Sequence, residues 1–193
     1  ALEAVRTEHD NAFEPYPQRA SELLEACKQN GLLLGKGGAF GNVIRITPML
    51  NVTPDEIDEG MIYKDDLVEV IAFKVNHGSW ENAFGYKFIT ADKTIVISGD
   101  TAPSDKLIEI SKDSDILVHE VYSQSGFDRR SDVWKNYHSK HHTSTIELAE
   151  IANITKPKLL LLTHILFWGS SEEDIIDEIR SNYSGKVLVG EDL

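Results

Sequence analysis

The sequence is poor in the features that mark disulfide-stabilised, membrane-spanning or strongly basic proteins. Its single cysteine, Cys27, excludes an internal disulfide and a zinc site built from cysteines. The longest apolar run, at residues 159–162, has the length of a strand rather than of a membrane span. No secretory signal peptide is visible at Ala1, so the compartment stays open between cytoplasm and periplasm.

Positive charge is scarce as well. The chain has 19 lysines and arginines against 32 aspartates and glutamates, which gives a formal net charge of −13. A charge of this sign repels a phosphate backbone unless a local patch or a metal ion overrides it. The composition therefore disfavours a nucleic-acid partner without excluding one, and no membrane partner is expected.

The residues that are present suit one globular domain with a real core, since the chain has 193 residues of which 41% are hydrophobic. Two β-hairpins are predicted between residues 61 and 98. Helices are then predicted near residues 104–111, 145–153 and 172–182, alternating with strands near 116, 159 and 187. Strands joined by crossovers of this length favour a parallel or mixed sheet covered by helices, which is an α/β (α+β) architecture.

Four predicted strands end on side chains that can bind metal ions or move protons. In chain order these are His77, Asp100, His119 with Glu120, and His164. A strand end is a rigid place at the edge of a sheet, and neutral imidazole is the commonest transition-metal ligand. One histidine alone would as readily be a capped core residue, so the prediction of a metal-centred catalytic edge depends on all four segments together.

A fifth segment suggests a proton donor. Ser144 and Glu147 have the spacing of a capping box, which predicts a helix start just after His142. The positive end of a helix suits anions, and a protonated His142 could donate to a leaving oxygen. Glu120 would orient that imidazole. The alternatives are a histidine that merely completes a loop and a glutamate that is a solvated surface acid.

Taken in order, these motifs resemble a known superfamily. They are His77 with Gly85-Tyr86, then Ser-Gly-Asp-Thr at 98–101, His-Glu at 119–120, His-x-Ser-Thr-x-x-x-Ala from 142, and Leu-Thr-His at 162–164. The combination is similar to the C-terminal half of a metallo-β-lactamase-fold hydrolase, in the branch that holds ribonuclease Z and the zinc-type arylsulfatases. The similarity runs from about Met61 to Leu193.

The resemblance implies an αββα sandwich, and it implies a role for each residue of the site. His77 would bind a first metal ion, Asp100 would bridge two, and His164 would bind the second. Two zinc ions are expected in the complete protein, with manganese possible, to polarise an ester and supply a hydroxide. His142, supported by Glu120, would protonate the leaving group.

Two departures from the family pattern limit what residues 1–193 should do alone. The His-x-His-x-Asp-His motif of the N-terminal half is absent, so we expect a single partial domain that binds metal weakly or not at all in isolation. Such a piece should pair with a missing N-terminal segment or form homo-oligomers.

The second departure concerns the substrate. Ribonuclease Z usually carries a long insertion that grips tRNA after its Gly-Tyr strand, and the 14 positions between Tyr86 and Asp100 leave no room for one. The expected function is therefore a binuclear zinc hydrolase that cleaves a small phosphate or sulfate ester. The alternative is a non-catalytic remnant or subunit that keeps the fold as a binding module.

Overall fold

The chain divides into two compact units, Ala1–Thr53 and Pro54–Leu193. The structure, a computed structural model, describes residues 59–190 and, before them, 2–3, 5–6, 14–15, 18, 21–22, 25, 35–37 and 43–45. The first unit contains the short strands β1 (Leu2–Glu3), β2 (Val5–Arg6), β3 (Glu14–Pro15), β4 (Gly35–Gly37) and β5 (Val43–Arg45). They pair antiparallel in the orders β1-β5-β4 and β2-β3. That residues 1–193 act as one partial domain stays a prediction.

The second unit is built on a seven-stranded mixed sheet. Its strands are β6 (Gly60–Lys64), β7 (Glu69–Lys74), β8 (Phe84–Ile89), β9 (Thr94–Ile97), β10 (Ile116–Tyr122), β11 (Leu159–Leu166) and β12 (Val187–Val189). Each strand lies beside the next one along the chain. Strands β6 to β9 form an antiparallel meander, and β9 to β12 run parallel. The predicted α/β class and mixed sheet are confirmed.

Helices connect the parallel strands. They are α1 (Asp105–Ser111), α2 (Gln124–Asp128), α3 (Asp132–His138), α4 (Thr145–Thr155) and α5 (Glu172–Arg180). Helices α1, α4 and α5 pack side by side, with α4 against β10 and α5 against β12. Parallel strands need such crossovers, and the crossovers place the carboxyl ends of β9, β10 and β11 at one edge of the sheet. None of the described helices is long and apolar enough to cross a membrane.

The core between these helices and the sheet is apolar and well covered. Its fully buried large side chains include Phe73, Leu107, Leu117, Leu148, Leu160, Leu162, Ile175 and Ile179. Burial of one such side chain is worth roughly 1.5–3 kcal/mol, so this layer holds the sheet edge rigid. At the opposite end of the sheet, edge strand β6 leaves Met61, Ile62 and Tyr63 more than half exposed.

The start of helix α4 is closed by the predicted capping box. The Ser144 hydroxyl accepts a hydrogen bond from the Glu147 N–H at 3.2 Å, and the Glu147 carboxylate accepts one from the Ser144 N–H at 2.8 Å. A second box of the same kind, Ser171 with Asp174, opens α5 at an exposed position. The first box fixes the helix directly after His142.

Replacement of either capping serine should lower the free energy of unfolding. We expect Ser171→Ala to cost about 1 kcal/mol and Ser144→Ala to cost up to about 2 kcal/mol. The second loss is larger because Ser144 is buried, so water cannot replace the hydrogen bond that its hydroxyl accepts. Urea denaturation of the two variants and the parent chain measures both values. An equal or smaller loss for Ser144→Ala would contradict the burial argument.

Candidate metal centre

Asp100 is placed beyond the sheet edge by a tight turn after β9. Gly99 has a φ of +64°, and a Cβ there would lie 2.6 Å from the Phe84 carbonyl oxygen. Only glycine therefore fits between β8 and the turn. The turn leaves the Asp100 side chain 44% exposed at the end of its strand, as the sequence predicted.

His164 reaches the same edge through a β-bulge in β11. Glu120 pairs with Thr163 and Val121 pairs with Ile165, so His164 is the extra residue between two successive pairs. Its φ is +43°, in the left-handed region, which histidine tolerates better than most residues. Bulges of this kind re-aim side chains beside functional sites. Here the bulge brings His164 Nε2 to 3.6 Å from Asp100 Oδ2.

Asp100, His142 and His164 form a group with the geometry of metal ligands. One ligand atom from each lies within 4.8 Å of the others. The 3.6 Å between Asp100 and His164 is long for a hydrogen bond and close to the roughly 3.4 Å that separates two ligands of a tetrahedral zinc ion. One carboxylate and two imidazoles are also a donor set that zinc and manganese accept. The residues therefore fit a metal ion.

Glu120 and His142 form a buried pair next to this group. Glu120 Oε2 lies 3.3 Å from His142 Nδ1, and the two side chains are 1% and 11% exposed. Burial raises the pKa of the Glu120 carboxyl, while the His142 imidazole and the N–H groups of Thr143 and Thr101 oppose that rise. Because Nδ1 of His142 is turned to Glu120, Nε2 is the nitrogen left for a ligand or a substrate.

The second oxygen of Glu120 joins two loops. Oε1 accepts hydrogen bonds from the N–H of Thr101 at 3.3 Å and from the N–H of Thr143 at 2.9 Å. The Thr143 hydroxyl donates to the Thr101 carbonyl at 2.6 Å. The two threonines directly follow Asp100 and His142, so one buried carboxylate fixes both side chains of the candidate centre relative to each other. The alternative of a solvated surface acid at Glu120 is wrong.

His77 lies beside the group rather than in it. It follows β7, as predicted, and its ring centroid is 5.3 Å from that of His142. Its Nδ1 is 2.8 Å from the His141 carbonyl oxygen. Among the described residues the candidate ligand group contains His142 and not His77. The assignment of His77 as a ligand, and of His142 as the proton donor instead, stays a prediction.

Strand alternation separates His119 from Glu120, as the sequence implied. Glu120 faces the site, whereas His119 is fully buried and its Nδ1 donates to the Glu120 carbonyl at 2.6 Å. Burial lowers the pKa of the His119 imidazole to about 4, against the opposing effect of that hydrogen bond. Its Nε2 has no hydrogen-bond partner within the described part of the chain. His119 is therefore a structural histidine.

An aromatic cluster around Trp168 lies on one side of the centre. The Trp168 ring contacts Tyr122, Trp134 and His138 at centroid distances of 5.0, 4.1 and 5.0 Å. The His138 ring in turn stacks on His142 at 5.7 Å. Helix α3 carries Trp134 and His138 of this cluster, and it is too short for hydrophobic periodicity to predict it.

With this geometry established, comparison with known proteins assigns the fold. No protein-family model matches the chain. The solved structure of YhfI from Bacillus subtilis, a metallo-β-lactamase fold protein, superimposes with a TM-score of 0.56 at 21% identity, over 73% of this chain and 52% of that one. The chain has the metallo-β-lactamase fold.

Proteins related to the chain in sequence carry names of one hydrolase branch. Ribonuclease Z of Haloarcula marismortui is 31% identical over 101 residues, which are 52% of this chain and 30% of that protein. A zinc phosphodiesterase ELAC protein 2 homolog of Caenorhabditis elegans is 35% identical over 98 residues, 51% of this chain and 11% of that one. The matches therefore span a third or less of these relatives. They support the ribonuclease Z branch, and partial coverage fits the expected C-terminal half.

The burial of His119 predicts that stability falls in acid. The folded protein resists protonation of His119 down to about pH 4, whereas the unfolded chain binds that proton below about pH 6.5. The stability it contributes is fully present above pH 6.5 and declines as the pH falls toward 4. At pH 5.0 the loss relative to pH 7.5 should be about 2 kcal/mol.

Urea denaturation at pH 7.5 and 5.0 tests this, with His119→Phe expected to shrink the difference between the two pH values by that amount. Leu162→Val is the matched control, because Leu162 pairs with His119 across the sheet and does not titrate. It should cost about 1 kcal/mol at both pH values. The same pH difference in His119→Phe as in the parent chain would refute the assignment.

Proposed function

We propose that this chain supplies part of the metal centre and the proton donor of a metal-dependent phosphodiester hydrolase. The observation that carries the proposal is the meeting of Asp100, His142 and His164 at one sheet edge, with ligand atoms within 4.8 Å of one another. Such a convergence from three separate segments has no evident structural use, since Asp100 and His164 are both about half exposed.

A metal ion held by Asp100 and His164 would polarise the phosphate oxygens and lower the pKa of a bound water. The name of the Caenorhabditis elegans relative, a zinc phosphodiesterase, supports zinc, and the donor set also suits manganese. Two ions per active protein remain the expectation from the family pattern. Among the histidines that the structure describes, His77 is the next one whose ring approaches His142, at 5.3 Å.

His142 has the surroundings of a general acid. Glu120 Oε2 faces its ring at Nδ1, 3.3 Å away, and would orient the ring and stabilise the positive charge of the protonated imidazole. The free Nε2 would deliver its proton to the leaving oxygen of the ester. The geometry also allows His142 Nε2 to serve as a metal ligand, and activity measurements on variants separate these two uses.

The substrate we propose contains a phosphodiester bond. The relatives are named ribonuclease Z and zinc phosphodiesterase, and nothing among them supports the sulfate-ester option. The net charge of −13 still argues for a short substrate over a long nucleic acid. Two basic side chains on or beside helix α3 that could contact phosphates instead lie over aromatic rings. Arg130 lies 5.2 Å from the Trp134 ring and Lys135 lies 5.7 Å from the Phe127 ring.

The test is hydrolysis by the gene product that contains this chain, with zinc or manganese added. We expect turnover of a small aryl phosphodiester and of a short RNA, and none of an aryl sulfate. His142→Asn should lower kcat by roughly 10²- to 10⁴-fold with metal content unchanged. If His142 is instead a ligand, the same variant should lose metal as well. Glu172→Gln, an exposed acid on α5, is the matched control and should retain full activity.

No turnover of any phosphodiester with either metal, in a product shown to be folded, would reject the hydrolase. The alternative of a non-catalytic binding module would then stand. Turnover of the aryl sulfate alone would instead restore the sulfate-ester option.

A further inference from the structure

The turn that carries His77 is held by the segment that precedes helix α4. His77 Nδ1 lies 2.8 Å from the carbonyl oxygen of His141, and the Gly78 N–H donates to the carbonyl of Lys140 at 2.7 Å. Two consecutive residues of the turn therefore bind two consecutive carbonyl groups. These contacts play no part in the proton transfer assigned to His142.

The side chain of His141 fixes where its own carbonyl points. The ring is buried, it stacks on Tyr137 at 4.1 Å, and its Nδ1 donates to the Tyr137 carbonyl at 2.7 Å. Its other edge lies against Gly78, where an added Cβ would come within 2.0 Å of His141 Nε2. Gly78 also has a φ of +59°. The imidazole thus fills space that only a glycine at position 78 leaves open.

We propose that His141 is a positioning residue that sets the tautomer of His77. A carbonyl oxygen can only accept a hydrogen bond, so the contact with His141 requires His77 Nδ1 to carry the proton. His77 Nε2 then keeps its lone pair. Metal-binding histidines are commonly oriented in this way, by a backbone carbonyl on the nitrogen that does not bind the metal. Only the use of Nε2 as a ligand rests on the proposed function, since the tautomer follows from the contact itself.

Nuclear magnetic resonance of the chain labelled with ¹⁵N-histidine tests the proposal without metal or substrate. Long-range ¹H–¹⁵N correlation at pH 8, above the ordinary imidazole pKa of about 6.5, distinguishes the two neutral tautomers. The parent chain should show His77 protonated at Nδ1. His141→Ala and Gly78→Ala should each abolish that pattern, because the first removes the ring and the second displaces it.

Gly169→Ala is the matched control, because Gly169 has a φ of +92° and lies outside this turn. It should strain its own backbone and leave the His77 pattern intact. His77 protonated at Nε2 in the parent chain, or an unchanged pattern in a folded His141→Ala variant, would overturn the proposal. If His141→Ala does not fold, the parent chain and Gly78→Ala decide. A lack of phosphodiester turnover would not alter this result, so the two proposals can fail separately.

Discussion

The buried carboxylate of Glu120 is the interaction on which the candidate centre depends. It lies in β10, which is an interior strand of the sheet, and its residue is paired with Thr163 of β11. From there one oxygen accepts the N–H groups of Thr101 and Thr143, and the other faces His142 Nδ1. Loss of the carboxylate would leave two buried N–H donors without a partner, at about 1–3 kcal/mol each. A carboxylate buried in the core thus holds the two loops that carry Asp100 and His142.

The parallel arrangement of the strands makes this centre possible. Two crossovers, from β9 to β10 and from β10 to β11, bring strand ends that are far apart in sequence to one edge, and two local irregularities complete the placement. The left-handed turn at Gly99 projects Asp100, and the bulge in β11 turns His164 toward it. Both irregularities occur where backbone strain is tolerated because the strands on either side are buried and paired.

Much of this could be predicted from the sequence, and the reasons for the rest are physical. Alternating and β-branched runs identified the strands, and the capping box of Ser144 and Glu147 identified the start of α4, because those signals are local. The sequence also led to the predictions that Asp100 and His164 lie at a common edge and that Glu120 orients His142. The bulge at His164 could not be predicted from the sequence, because a bulge depends on the register between strands that are distant in sequence. The roles of Thr101, Thr143 and His141 depend on contacts between loops, which no local pattern encodes.

The most direct test of the account is a calorimetric titration of zinc into residues 1–193. With Asp100 and His164 as converging ligands, His142 beside them, and no His-x-His-x-Asp-His motif in this stretch, the account predicts at most one weakly bound zinc ion per chain. It also predicts that an Asp100→Asn, His164→Asn double variant has lost that binding. Tight binding of two zinc ions per chain, or binding that survives in the double variant, would contradict it.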